Sequence, residues 1–235
     1  MGRLPDFLII GGSRCGTGSL FKNLLQHPLI RGSLKNKKEI HFFNKIKRYN
    51  RGIEWYKSQF PSARKKTLCF EASPAYFHES LVAHRIFKHL PDGKFIILLR
   101  NPIDRVVSFY SRWKRKKEEW NPNELKNPQY GVVEAGIYVK ALWRWFGYFS
   151  INQFLIIKSE DYFENEKKII AQCFDWLGIE PINIGKPLFY DQKNRQEEWL
   201  PYQREVPDDV KEYLREFYKP HNLKLYELLG RDFGW

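Results

Sequence analysis

Short apolar runs separated by stretches with helical spacing organise this chain. Phe7–Ile10, Thr67–Phe70, Phe95–Leu99 and Phe154–Ile157 are rich in β-favouring residues and barely interrupted by polar ones. Runs without alternation are expected of strands buried on both faces. Between them, apolar residues recur at intervals of three and four, which predicts helices. Ser19–Gln26 sets Leu20, Phe21, Leu24 and Leu25 on one face, Leu81–Leu90 offers Val82, Ile86 and Leu90, and Asp104–Trp113 offers Val106, Val107, Tyr110 and Trp113. Val133–Phe149 carries Val133, Ile137, Ala141, Leu142, Trp145 and Phe149 in the same way. Ile169–Leu177 stops at Gly178, a favourable C-terminal residue, and Asp208–Tyr218 carries Val210, Tyr213, Leu214 and Phe217. Strands alternating with helices predict an α/β fold, a central parallel sheet with helices on both faces. Segment 120–131, bracketed by Asn121-Pro122 and Asn127-Pro128, reads as an insertion, and residues 1–235 as a single domain.

Composition narrows the class. Hydrophobic residues make up 43% of the 235 positions, enough for a core and too many for a disordered chain. No apolar run approaches the ~20 residues that a membrane-spanning helix needs. Three cysteines (Cys15, Cys69 and Cys173) cannot build a disulfide scaffold. The first residues lack a signal-peptide pattern and no Asn-x-Ser/Thr sequon occurs, so a cytoplasmic protein is expected, with a soluble domain of the secretory pathway as the alternative. Forty Lys and Arg against 27 Asp and Glu leave a net charge of +13. That field favours anionic partners without choosing among nucleotides, acidic polysaccharides and nucleic acid.

Three clusters carry candidate chemistry. The first strand runs into Gly11-Gly12-Ser13-Arg14-Cys15-Gly16-Thr17-Gly18-Ser19, and a helix follows. Strand, glycine-rich turn and helix together aim backbone N–H groups at an anion. The Gly11-x-x-x-x-Gly16 spacing matches the start of a nucleotide-triphosphate loop, but Thr17 stands where that motif requires Lys, and the cation is Arg14. Only Glu71 is an acidic strand-end residue suited to Mg²⁺. A phosphate-type anion held by protein groups without metal is therefore expected. In the second cluster, Arg100 ends a buried strand, Pro102 opens a helix, and Ser108 lies about two turns in. Open parallel sheets bind ligands at the carboxyl ends of their strands, so Arg100 is expected beside the first loop, where Arg100 and Ser108 can hold a second phosphate. In the third, Lys38-Glu39-Ile40-His41-Phe42-Phe43-Asn44, Glu39 and His41 share one face of an extended chain, and either can serve as a general base. Cys15, near a helix start, reads as a loop residue, with a reactive thiol as the alternative. A P-loop nucleotide kinase and a basic polyanion- or nucleic-acid-binding module remain as alternatives.

Taken in order, these clusters resemble sulfotransferases that use 3′-phosphoadenosine 5′-phosphosulfate (PAPS), in particular the heparan sulfate 3-O-sulfotransferases and the heparan sulfate N-sulfotransferase domain. The matching stretches are Ile9–Thr17, Glu39–Phe43, Gly52–Tyr56, Phe70–Phe77, Leu99–Ser108 and Leu228–Trp235. The resemblance implies a P-loop-like sulfotransferase fold. It also implies sulfuryl transfer from PAPS to a hydroxyl or amine acceptor, with adenosine 3′,5′-bisphosphate released and no metal. It gives Ser13, Arg14, Cys15, Gly16, Thr17, Gly18 and Ser19 the 5′-phosphosulfate, and Arg100 and Ser108 the 3′-phosphate. Glu39 takes the position of the family's proposed base, and His41 a neighbouring active-site position. A late loop containing Lys193, Asn194 and Arg195, or Tyr202 through Arg204, closes over the donor. The expected partners are the donor nucleotide and an acceptor such as an acidic saccharide, not nucleic acid. Two departures stand out: Arg14 replaces a loop lysine, and Ala72 replaces the lysine that the heparan enzymes carry after the glutamate of the third strand.

Overall fold

All five residues of the strand Phe7–Gly11 are buried, as expected for a strand covered on both faces. The computed structural model describes residues 2–34, 37–62, 67–114, 121–129, 131–185 and 206–235. In chain order the strands and α-helices are β1 (Phe7–Gly11), α1 (Thr17–Leu24), β2 (Ile30–Arg31), α2 (Ile46–Tyr49), α3 (Ile53–Lys57), β3 (Leu68–Ala72), α4 (Val82–Phe87), β4 (Lys94–Leu99), α5 (Pro102–Lys114), α6 (Gly131–Glu134), α7 (Tyr138–Phe146), β5 (Phe154–Lys158), α8 (Ser159–Glu164), α9 (Glu166–Leu177) and α10 (Asp208–Leu229). Packing divides the chain into two units. The first comprises residues 1–99 and 144–189, and the second residues 100–143 and 190–235.

The first unit holds the sheet. Its order is β2-β3-β1-β4-β5, and every pairing is parallel. Phe7 lies opposite Phe70 on one side and Lys94 on the other, and Ile9 lies opposite Ala72 and Ile96. Period-two alternation then sorts side chains to the two faces. Phe7, Ile9, Phe70, Ile96 and Leu98 pack with Leu20, Phe21 and Leu24 of α1 and with Ile170 and Phe174 of α9. On the opposite face, Phe95 stacks against Trp145, Phe149 and Phe154, and the Trp145 indole N–H donates to Phe77 O at 3.1 Å. The strand order reverses at β1, so the carboxyl end of β1 is the position at which open α/β sheets take their ligands.

The second unit has its own core. Val106 and Tyr110 of α5, Leu125, Val132 and Val133 pack against Val210, Leu214 and Tyr218 of α10. Inside this core Arg105 is buried, and its guanidinium donates to Val132 O.

The four predicted strands are present, and β2 is an addition that two residues were too few to announce. The predicted helix 133–149 is divided into α6 and α7. Gly136 sits at the break, where a Cβ would fall 2.6 Å from the Tyr218 hydroxyl. That hydroxyl donates to Val133 O at 2.7 Å, so the tertiary contact holds the break open. The helix predicted over 208–218 extends through Pro220 to Leu229, where Gly230 ends it in the left-handed conformation at φ 60°. Within the expected insertion, Pro122–Lys126 forms a 3₁₀ turn that buries Leu125. Replacement Gly136→Ala should destabilise the protein by about 1–3 kcal/mol, the usual scale of overpacking, because the methyl must displace the Tyr218 ring. Urea unfolding measures it, and an unchanged midpoint would show that the Tyr218 contact does not set the break.

Candidate active site

The loop after β1 is fixed by backbone and buried side chains. Gly12 N–H donates to Leu98 O of β4 at 2.6 Å, and the Ser159 hydroxyl donates to Cys15 O at 2.8 Å. Gly16 takes φ 95° as the residue capping α1, and a Cβ there would lie 2.9 Å from the Phe163 ring, so glycine is required on both counts. The first turn of α1 carries no acidic residue, and helix geometry leaves its N–H groups without intrahelical acceptors. This is the arrangement that receives an anion. Cys15 is wholly buried in the core and is a packing residue of the loop. The Ser19 hydroxyl is buried against the Tyr162 hydroxyl at 2.9 Å, which leaves its backbone N–H as what it can offer a ligand.

The segment carrying Glu39 and His41 is not held by a ladder of strand hydrogen bonds. Its anchor is Glu71, a fully buried carboxylate on β3. The N–H of Ile40 donates to Glu71 Oε2 at 3.0 Å, Ser73 Oγ to the same oxygen at 2.5 Å, and the Tyr56 and Tyr76 hydroxyls to Oε1 at 2.8 and 2.9 Å. Two of these hydroxyls extend the grip: Ser73 Oγ accepts from His41 N–H at 3.1 Å, and Tyr76 OH accepts from Phe42 N–H at 2.8 Å. Backbone N–H groups can only donate, so the hydroxyl protons point at Glu71, and four donors fill the lone-pair positions of a carboxylate. Burial pushes the Glu71 carboxyl above its ordinary value, while the bonds from Ser73, Ile40, Tyr56 and Tyr76 pull it back. With its lone pairs taken, Glu71 is a scaffold and not a ligand for Mg²⁺.

Glu39 stands at the surface end of this scaffold, held from both sides. Lys38 Nζ lies 2.8 Å from Oε1, and His41 Nε2 lies 2.9 Å from Oε2. The other ring nitrogen of His41 is 3.2 Å from Asn44 Oδ1. The hydrogen bond from His41, followed by that from Lys38, holds the Glu39 carboxyl at about 2 against the opposing effect of burial. Lys38 is tied to the sheet through its carbonyl, which accepts from Ala72 N–H at 2.9 Å. A Cβ on Gly18 would lie 3.8 Å from Lys38 Nζ, so the Lys38 ammonium, bonded to Glu39, lies beside the first turn of α1. Among the described residues, the non-glycine residues with positive φ are Arg14, at 70°, and His41, at 53°. Such backbone costs roughly 1–2 kcal/mol per residue and collects at functional sites.

Arg100 and Ser108 belong to the second unit. Arg100 follows directly on β4, its carbonyl accepts from Tyr138 OH at 2.8 Å, and its guanidinium lies 4.0 Å from Asp104. Asn101 Oδ1 accepts from Ile103 N–H at 2.9 Å and Pro102 starts α5, a side-chain cap followed by a favourable first residue. Ser108 lies one turn beyond Asp104 on the same helix face. Lys193, Asn194, Arg195 and Tyr202–Arg204 lie outside the described residues. Sequence reasoning named the anion loop, Glu39 and His41 but missed Glu71 as their anchor, Ser159 as a support of the loop, and Lys38 as the side chain joining loop and base. The Phe70–Phe77 stretch contained the first of these signals, since a glutamate inside an apolar strand needs buried donors.

A parallel α/β sheet with a glycine-rich strand-to-helix turn at its switch point is the architecture of proteins that bind phosphate-type anions. The profile of the sulfotransferase domain family matches residues 4–221, and the chain belongs to that family, which takes its sulfuryl group from PAPS. It is 30% identical to human heparan sulfate glucosamine 3-O-sulfotransferase 5 and 31% identical to its mouse counterpart, each alignment covering 99% of this chain and 74% of the relative. A sulfotransferase from Alicyclobacillus acidocaldarius superimposes with a TM-score of 0.80 at 26% identity, covering 98% of this chain and 97% of that one. The mouse sulfotransferase SULT7A1, solved as a complex with PAP, shares the fold with a TM-score of 0.52 at 19% identity, covering 76% and 60%. Family membership selects sulfuryl transfer over the kinase and polyanion-binding alternatives.

Replacement Glu71→Gln turns acceptor positions into donors and strands about two buried N–H or O–H groups. At roughly 1–3 kcal/mol each it should cost on the order of 2–6 kcal/mol in urea unfolding. A cost below about 1 kcal/mol, within the range of ordinary surface substitutions and not of stranded donors, would remove Glu71 as the anchor. The Glu39 carboxyl, lowered when folded, contributes stability that is complete above its ordinary value of 4.5 and is lost as pH falls toward about 2. In Glu39→Gln the acid side of the stability-against-pH curve should flatten accordingly.

Proposed function

We propose that this enzyme moves a sulfuryl group from PAPS to a hydroxyl or amine of a carbohydrate acceptor, with Glu39 as the general base. The observation that carries the reading is Lys38, whose ammonium lies beside the first turn of α1 and bonds Glu39 at 2.8 Å, which supports a carboxylate close to the anion-binding loop. When bound, the donor supplies an activated sulfuryl group whose transfer leaves adenosine 3′,5′-bisphosphate. Arg14 and the N–H groups of Gly16, Thr17 and Gly18 hold the 5′ end and stabilise the charge that develops there. Arg can offer paired donors to phosphosulfate oxygens, so its replacement of a loop lysine keeps this role. Arg100 and Ser108 receive the 3′-phosphate, and Arg195 contributes from the late loop. Glu39 takes the acceptor's proton as the acceptor attacks in line.

For the acceptor, the relatives named above act on heparan sulfate glucosamine. Beside the base, Lys45 N–H donates to His41 O, and the side chains of Lys45 and Lys47 are exposed. Exposed ammonium groups next to Glu39 suit an acidic saccharide.

Calorimetry tests the donor. Adenosine 3′,5′-bisphosphate should bind in the presence of EDTA and ATP should bind poorly, and the reverse result would overturn the reading. Glu39→Gln should lower turnover by about 10²–10⁴, the usual contribution of a proton-transfer group, while retaining the bisphosphate. Near-full turnover in Glu39→Gln together with its loss in His41→Ala would move the base to His41. Arg14→Ala should lower turnover by about 10²–10³.

A further inference from the structure

Lys38 carries its charge in a position of mixed electrostatics. Its ammonium lies against Gly18, the second residue of α1, where the helix dipole is positive and a cation is disfavoured. Arg14 adds a second cation to the same loop. In exchange Lys38 has Glu39 at 2.8 Å, a carboxylate already bonded to His41 on its other oxygen. The side chain is 29% exposed and its backbone carbonyl accepts from the Ala72 N–H, so a change of partner would need only a rotation of the stem about an anchored residue. An anion between the α1 turn and Lys38 would turn two unfavourable proximities into favourable ones.

We propose that Lys38 is a charge shuttle: its pairing with Glu39 gives way, when donor binds, to the donor's sulfuryl and 5′-phosphate oxygens. This rests on the sulfotransferase donor reading above. Two consequences follow for the same reaction. Lys38 adds positive charge where the sulfur–oxygen bond to the 5′-phosphate breaks, its electron pair staying on the phosphate oxygen as the acceptor oxygen or nitrogen bonds to sulfur. The departure of Lys38 also frees Oε1 of Glu39 to take the acceptor's proton. The hold of Lys38 on Glu39, smaller than that of the His41 hydrogen bond, is thereby removed when donor is present, while His41 continues to orient the carboxylate. The ammonium that the heparan enzymes place after the strand glutamate is supplied here by a different residue, on the chain segment bonded to that same position, Ala72.

A binding cycle tests this with adenosine 3′,5′-bisphosphate as the calorimetric probe. Lys38→Gln should weaken the bisphosphate about tenfold or more, the scale of one charge-assisted hydrogen bond. Lys38→Arg, which keeps the charge, should retain most of the affinity and so separates lost charge from a folding defect. Glu39→Gln should tighten the bisphosphate several-fold by releasing Lys38, and that gain should shrink or vanish in the double variant Lys38→Gln/Glu39→Gln. An equal gain in both backgrounds, or Lys38→Gln binding as the original protein does, overturns the shuttle while leaving the donor reading intact. An original protein that ignores the bisphosphate overturns both.

Discussion

The buried carboxylate of Glu71 is the constraint on which this site depends. It lies on β3, next to the central strand, and collects donors from Ile40, Tyr56, Ser73 and Tyr76. A carboxylate without partners in that position would be costly, and with four donors it becomes a rigid junction. Ser73 and Tyr76 pass the grip on to the N–H groups of His41 and Phe42. The 37–44 segment thus acquires a fixed path without belonging to the sheet. Glu39 and His41 are aimed by the interior of the protein, although their own side chains are only partly covered.

Around that junction the electrostatics are deliberately unbalanced. The α1 turn, Arg14 and Lys38 are all positive, and Glu39 is the carboxylate bonded to Lys38. On its own this arrangement is a source of repulsion. It is complementary to an anion, which is the logic of preorganised charge stabilisation. The overall charge of +13 adds a long-range field that draws anionic molecules to the surface, but the short-range arrangement supplies the selectivity.

The sheet was legible because its strands are unbroken apolar runs, and burial on both faces leaves no other use for such runs. The anion loop was legible because Gly11, Gly12, Gly16 and Gly18 mark a strand-to-helix turn in sequence. Local pattern failed where distant contacts decide. Apolar spacing runs straight through Gly136, and only Tyr218, arriving from α10, breaks the helix there. Pro220 suggests a stop, yet α10 continues because Leu225 is buried beyond it. Lys38 read as one basic residue among several, and its place beside Gly18 exists only because β3 carries Ala72 to its carbonyl.

Arg14 and His41 show what the scaffold is for. Each adopts left-handed backbone without being glycine, at about 1–2 kcal/mol apiece, and neither conformation would persist in a loosely held loop. For Arg14 the opposing constraint is the hydrogen bond from Gly12 to Leu98 on one side and from Ser159 to Cys15 on the other. For His41 it is the Ser73–Glu71 pair beneath its own N–H. In both cases the strained residue is bracketed by bonds to strand ends or to buried polar groups, so relief would require breaking core hydrogen bonds. The strain is therefore stable, and it fixes the backbone at both residues. A site that must stabilise charge without reorganising its backbone at the moment of transfer needs this order of events, in which folding sets the path of the loop and of the 37–44 segment before any side chain responds to a ligand.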